Sequence, residues 1–417
     1  MFEMTEKLEH EQELSIILAP EQAFYLSGGQ VEGYIQYKSP GIRSVKGIEV
    51  KFWGRLKSTI VEKHPLATIY RTYRDRVWLF EESKDVFSGN ETSLQPGTHA
   101  WSFTFTIPTS VEPRKVEAWD IGPVLERFPP QPLPPSSHLN ARVKGVISGY
   151  YSIISYAIVA KLHFTDSALP TPEAQVLLTI IPVASSPPAK TEHEHQLTHE
   201  IRGFDLLPPA QRPQKALTFQ KPPTLRLRLT AAHPIYLVPT QPWRVHITLH
   251  VLPSRPHDGP VIPDALVPSF CLRSLHARLK CKTTVAITRT AEHSRTHAST
   301  AAEARLFNQG LIVPGEEKAV DMGALPYLPA STALSSLSRR YVLRLTAVVE
   351  SSAEEDGGQQ REFELKGDVA VVVGALPAGK RAETVEDMVR GGVAMAALDD
   401  VGGVLDVGLG IWGLVSI

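Results

Sequence analysis

The chain has 417 residues, 42% hydrophobic and 21% charged, with a net charge of −1. That length exceeds one ordinary core and makes two domains of similar size the expectation. Near-neutrality gives no whole-chain field for nucleic acid or an anionic membrane, and the two cysteines, Cys271 and Cys281, are too few for a disulfide framework and read as buried reduced thiols.

Residues 1–12 are polar and charged, without the apolar stretch of a secretory signal. From 13 to 181 apolar residues recur with period two, which predicts strands near 14–19, 30–37, 45–56, 77–82, 100–107, 148–164 and 174–181. Pro96-Gly97 reads as a turn dipeptide. After it, Trp101, Phe103, Phe105 and Ile107 fall on one face of a strand and Ser102, Thr104 and Thr106 on the other. Pro108 ends that strand, because proline has no N–H to donate to a ladder. The segment Phe128-Pro-Pro-Gln-Pro-Leu-Pro-Pro135 interrupts the pattern and favours an extended polyproline conformation. It reads as a proline-stiffened loop in preference to a docking segment.

Residues 182–223 are punctuated by Pro-Pro pairs and read as a linker. Within it, Glu192-His-Glu-His-Gln-Leu-Thr-His-Glu200 offers the imidazoles of His193, His195 and His199, a residue type that binds zinc. The spacing is not His-Glu-x-x-His, and a Pro-rich linker is a poor frame for a rigid coordination shell. A solvated linker is the preferred reading; a metal-dependent hydrolase centred on those three histidines is the alternative from another functional class. Strands resume near 225–231, 243–252, 269–290, 318–322, 340–351 and 360–374, with 291–304 as a mobile loop. Residues 383–397 have the spacing of a short amphipathic helix, weakened by Gly391-Gly392. The expected organisation is a domain over 1–181, the linker 182–223, a second domain over 224–376 and a tail over 377–417.

No Gly-x-Ser-x-Gly, Walker A or Cys-x-x-Cys sequence is present, and Gly408-Leu-Gly-Ile-Trp-Gly413 matches Gly-x-Gly-x-x-Gly without following a strand-to-helix context that could cradle phosphate. No enzyme activity, cofactor or catalytic residue is therefore expected. No stretch of about 18 uncharged apolar residues occurs, so peripheral membrane association is the most that is expected. The candidate contact residues are Arg71, Tyr73, Arg74 and Arg76, in Arg71-Thr-Tyr-Arg-Asp-Arg76. Guanidinium forks match carboxylate and phosphate, and tyrosine adds rigid contact area. Arg226, Arg228 and Arg244 form a second basic set, read as solvated strand faces.

Several blocks occur together in order: Tyr25-Leu-Ser-Gly-Gly-Gln-Val-Glu-Gly-Tyr34, Val45-Lys-Gly-Ile-Glu-Val-Lys-Phe-Trp-Gly54, Leu79-Phe80-Glu81, Pro96-Gly-Thr-His-Ala-Trp-Ser-Phe-Thr-Phe-Thr-Ile-Pro108 and Gly149-Tyr-Tyr-Ser-Ile-Ile-Ser-Tyr156. In this arrangement residues 13–181 resemble the N-terminal domain of arrestin-like proteins, in particular the fungal arrestin-related trafficking adaptors. Pro96, Gly97, Trp101, Phe103, Phe105 and Pro108 carry the most compact part of that likeness. The resemblance implies an all-β chain of two tandem antiparallel immunoglobulin-like sandwiches. It implies a non-catalytic, cytoplasmic adaptor, recruited to the plasma membrane or endosomes, that binds the tails of plasma-membrane transporters or receptors. Through it, cargo would be linked to endocytic sorting, coat proteins and ubiquitination by a ubiquitin ligase. A retromer-subunit-like coat component is the alternative within the binding class. No Pro-Pro pair here continues as Pro-Pro-x-Tyr, the sequence with which many fungal members bind ubiquitin ligases.

Overall fold

The computed structural model describes residues 13–63, 70–116, 124–142, 149–184, 192–202, 222–239, 241–252, 270–286, 294–307, 314–325, 328–334, 336–351 and 362–377. Among these residues every regular element is a strand. The first fifteen are β1 (Leu14–Leu18), β2 (Tyr25–Leu26), β3 (Gln30–Ser39), β4 (Arg43–Lys63), β5 (Tyr70–Leu94), β6 (Gly97–Thr106), β7 (Ser110–Val111), β8 (Arg114–Val116), β9 (Val124–Arg127), β10 (Gln131–Pro132), β11 (Ser137–Arg142), β12 (Gly149–Phe164), β13 (Glu173–Leu178), β14 (Ile180–Ile181) and β15 (Val183–Ala184). The rest are β16 (Glu192–Arg202), β17 (Thr224–Pro234), β18 (Tyr236–Leu237), β19 (Pro242–Leu252), β20 (Phe270–Ala286), β21 (Ser294–Phe307), β22 (Glu317–Ala324), β23 (Thr332–Ala333), β24 (Leu337–Ser351), β25 (Glu362–Val373) and β26 (Leu376–Pro377).

Period-two alternation decides which side of each strand is buried. In the first half, the sheet β1-β3-β6 lies over a larger sheet ordered β11-β12-β4-β5-β8-β9, with β13 also paired to β12. Val31, Ile35 and Tyr37 of β3 and Phe103 and Phe105 of β6 share one core with Val50, Phe52 and Leu56 of β4 and Tyr156 and Ile158 of β12. Phe52 and Phe105 meet across the layers, ring centres 5.6 Å apart. In the second half, the sheet β16-β17-β19-β22 encloses another core with the sheet β18-β25-β24-β20-β21. Leu227, Leu229, Val245 and Ile247 supply one side, Leu279, Leu343, Leu345 and Val371 the other. Burying each such side chain contributes about 1.5–3 kcal/mol before entropy is counted. The pairings are antiparallel except for three two-residue parallel contacts, β14 with β2, β15 with β26 and β18 with β25.

The two cores touch. Val285, Leu334 and Leu337 of the second half are buried in the first core. Ser58 Oγ, bonded to Ser152 Oγ at 3.0 Å, reaches the Ser336 carbonyl at 3.5 Å.

Two expectations are corrected, the mobile loop and the linker. Residues 294–307, in the stretch read as a mobile loop, form β21 against β20. Residues 192–202, inside the segment read as linker, form β16, the edge strand beside β17. The Pro-rich segment packs on the first half: Leu133 is buried, its N–H donates to the Thr109 carbonyl, and the Tyr156 hydroxyl donates to the Pro134 carbonyl. Cys271 and Cys281 are half-buried free thiols on the same strand, β20. At about 3.3 Å per residue they stand far beyond the roughly 7 Å limit between bridged Cα atoms. The helix expected over 383–397, and the tail beyond 377, lie outside the described residues.

Candidate partner-binding face

The face of the large sheet turned away from the core is where the basic cluster lies. β4 and β5 run antiparallel, with Arg55 opposite Trp78, Lys57 opposite Arg76 and Thr59 opposite Arg74. Their alternate residues, Leu56, Ile60 and Val77, enter the core. Arg55, Lys57, Arg74 and Arg76 therefore share the outer side, four cations on two neighbouring strands. Arg74 is exposed and the other three are half-buried. The Arg55 guanidinium lies over the Trp53 ring at 4.5 Å and the Trp78 ring at 5.5 Å. The negative faces of the indoles hold such a group in place. Trp53 and Trp78 meet edge to face at 5.8 Å and pack with Ala157 and Val159 of β12. At the far edge of this band, Glu81 receives Arg114 at 3.1 Å and Lys51 at 3.8 Å.

The expected contact residues divide between the two faces. Arg74 and Arg76 are together on the outer side. Tyr73 is half-buried against the core. Arg71 stands opposite Glu62, in the alternation class of Tyr73 and apart from Arg74 and Arg76. Asp75 also turns inward, 5% exposed, where its carboxylate takes Lys115 Nζ at 3.0 Å. Sequence reasoning missed Trp53, Arg55 and Lys57, which come from the neighbouring strand β4, and Trp78, further along β5 itself. Their signal was the alternation Lys51, Trp53, Arg55, Lys57 on the side opposite the core stripe.

Around the Pro-Gly turn, Pro96 and Gly97 are exposed. Gly97 has φ +135°, a conformation that side chains rarely adopt. Phe103, Phe105 and Ile107 are buried, and Trp101 and Pro108 half-buried. In the second half, two of the three basic positions, Arg226 and Arg244, meet carboxylates. Glu200 takes Arg226 at 2.8 Å and Arg202 at 2.6 Å, and Arg244 stands 3.9 Å from Asp321. The hydrogen bonds from Arg202 and Arg226 hold the Glu200 carboxyl below its ordinary range.

The three histidines of β16 all point toward the core side, where His193 stands opposite His233, His195 opposite Ala231 and His199 opposite Leu227. Six residues of strand separate His193 from His199 by about 20 Å, whereas one zinc holds each imidazole nitrogen at about 2 Å. The set therefore does not close on one ion. Among the described residues no group of three or more His, Cys, Asp or Glu side chains is placed to hold a metal. His199 packs instead on Phe363 at 5.8 Å. His193 meets His233, which the sequence reads as a surface or packed side chain, at 6.2 Å between ring centres.

An open cleft of about 530 Å³ lies at one end of the large sheet, lined among others by Glu49, Asp85, Phe87, His163, Phe164 and Asp166. Register shifts in β4 at Val45/Gly47 and Ile48/Glu49, and in β12 at His163/Phe164, splay the strands there. Among the described residues no helix is long and apolar enough to cross a membrane. In comparison with known proteins, no family model matches this chain and no curated protein matches it.

Proposed function

We propose that this chain is a non-catalytic adaptor of the arrestin-like kind, built as two tandem immunoglobulin-like sandwiches. In this reading it is cytoplasmic and recruited to the plasma membrane or endosomes. It binds acidic or phosphorylated tails of membrane transporters or receptors and links them to endocytic sorting and ubiquitination. The observation that carries the proposal is the outer band of Arg55, Lys57, Arg74 and Arg76 around Trp53 and Trp78. Like charges side by side on adjacent strands raise the free energy of the sheet, and an anionic segment laid across them lowers it. Arginine forks take carboxylate or phosphate bidentately, while the half-buried Trp78 offers flat apolar area beside them, backed by the buried Trp53. The ordered sequence blocks of the first half support the same reading.

The test is charge reversal of the two outward arginines, Arg74→Glu with Arg76→Glu, scored by cargo internalisation and by protein level in the source cell. The account predicts lost internalisation at normal abundance. Normal internalisation at normal abundance would contradict it.

A further inference from the structure

At its leading end, edge strand β16 meets β17 through imidazoles. His233 of β17 is 1% exposed, and its Nε2 is buried without a hydrogen-bond partner. Its Nδ1 stands 3.0 Å from the Pro234 carbonyl. A carbonyl only accepts, so the neutral ring carries its proton on Nδ1 and leaves the Nε2 lone pair in a closed apolar place. His193, directly opposite, covers it edge to face, and His195 follows two residues on, on the same side. Across the core, β25 offers His195 a glycine: a Cβ at Gly367 would meet His195 Nε2 at 2.8 Å. Among the described residues no carboxylate faces His233. Glu192 and Glu194 occupy the outward positions of β16, and the nearby His246–Glu317 pair, at 2.9 Å, lies on that same outer side.

We propose that His193, His195 and His233 form an acid-operated latch, whose protonation frees the leading half of edge strand β16 from β17. An imidazolium at His233 would be shut away from bulk solvent with no counter-ion among the described residues, and its two nearest ionisable neighbours would carry the same sign. Hydration is available only if β16 lifts away. Among the described residues β16 has a strand partner on one side only, so lifting breaks one ladder. The trailing half stays pinned, because the Glu200–Arg226 contact joins β16 to β17 and the lowered Glu200 carboxyl keeps its charge into acid. Burial, reinforced by His193 and His195 and opposed by the Pro234 carbonyl, holds the folded His233 imidazole below the ordinary histidine range. The sign follows. The opened strand binds a proton that the closed one refuses, so closure is favoured at neutral pH. It weakens as pH falls below about 6.5, the free imidazole value.

Hydrogen exchange of the full-length protein between pH 7.5 and 5, corrected for the intrinsic chemical rate, tests the latch. The expected result is acid-dependent loss of protection over 192–197, while amides of β24 stay protected. Each unit by which folded His233 titrates below the free imidazole gives about a tenfold rise in opening. His233→Leu, a similar apolar volume without the charge, should keep 192–197 protected at pH 5. Should that core variant fail to fold, His193→Gln, at an exposed position, decides: it should flatten the acid dependence. Protection of 192–197 that does not change with pH would overturn the proposal. So would simultaneous loss over β24, or the same acid loss in whichever variant folds.

Discussion

At the scale of single residues, the fold is decided by close approaches that leave no room for change. Gly54 sits at a register shift of β4, where a Cβ would stand 2.6 Å from Tyr156 Cε1 and 2.8 Å from Phe80 Cε1. Gly54→Ala must push two stacked rings apart, at a cost of about 1–3 kcal/mol, read as a lower chemical-denaturation midpoint. Tyr156 is buried and its hydroxyl serves the Pro134 carbonyl. Tyr156→Phe leaves that carbonyl unanswered and should cost about 1–3 kcal/mol. Phe103, 4% exposed beside exposed Thr104, gives a matched pair: Phe103→Ala should cost about 3–5 kcal/mol, Thr104→Ala well under 1 kcal/mol. Equal thermal midpoints for those two variants would contradict the register of β6. Much of this was legible beforehand, because alternation through Trp101, Phe103, Phe105 and Ile107 assigns an inner face. The Tyr156–Pro134 bond was not, since it joins residues 22 positions apart through a loop.

Among the elements, legibility followed the strength of alternation. β12 and β24 bury every second side chain along most of their length, and their sequences alternate accordingly. β16 puts histidines at three of its core-side positions, exposed at His193 and half-buried at His195 and His199, so a hydrophobic count reads it as polar linker. β21 carries Ala, Thr, Ser and Arg, and its strand state comes from pairing with β20, a partner invisible in a local window. The contact face was half legible for the same reason. Strand β5 announced its arginines, but parity puts Tyr73 and Arg71 in one class and Arg74 and Arg76 in the other. The remaining cations arrive from β4, and only the register Lys57 to Arg76 shows that they adjoin.

At the scale of the whole molecule, the two cores are mechanically joined. Leu337 belongs by sequence to the second half, yet it is 2% exposed within the first core. Leu337→Ala should therefore cost about 2–5 kcal/mol and loosen β4 and β12 of the other half, visible as faster hydrogen exchange at Ser58 and Ser152. Near that junction Arg339 is 8% exposed, and its Nη1 has no hydrogen-bond partner among the described residues. A buried N–H group left without an acceptor is destabilising, so Arg339→Met should leave the thermal midpoint unchanged or raise it. The central claim is that the outer face of the large sheet receives an anionic chain. Titration of the purified full-length protein with a fluorescent acidic peptide tests it most directly, comparing the wild type with Arg74→Glu/Arg76→Glu at matched far-ultraviolet spectra. The account predicts salt-sensitive binding that weakens by about tenfold or more in the variant, a difference of about 1.4 kcal/mol or more. Equal affinity of the two proteins, or binding indifferent to salt, would contradict it.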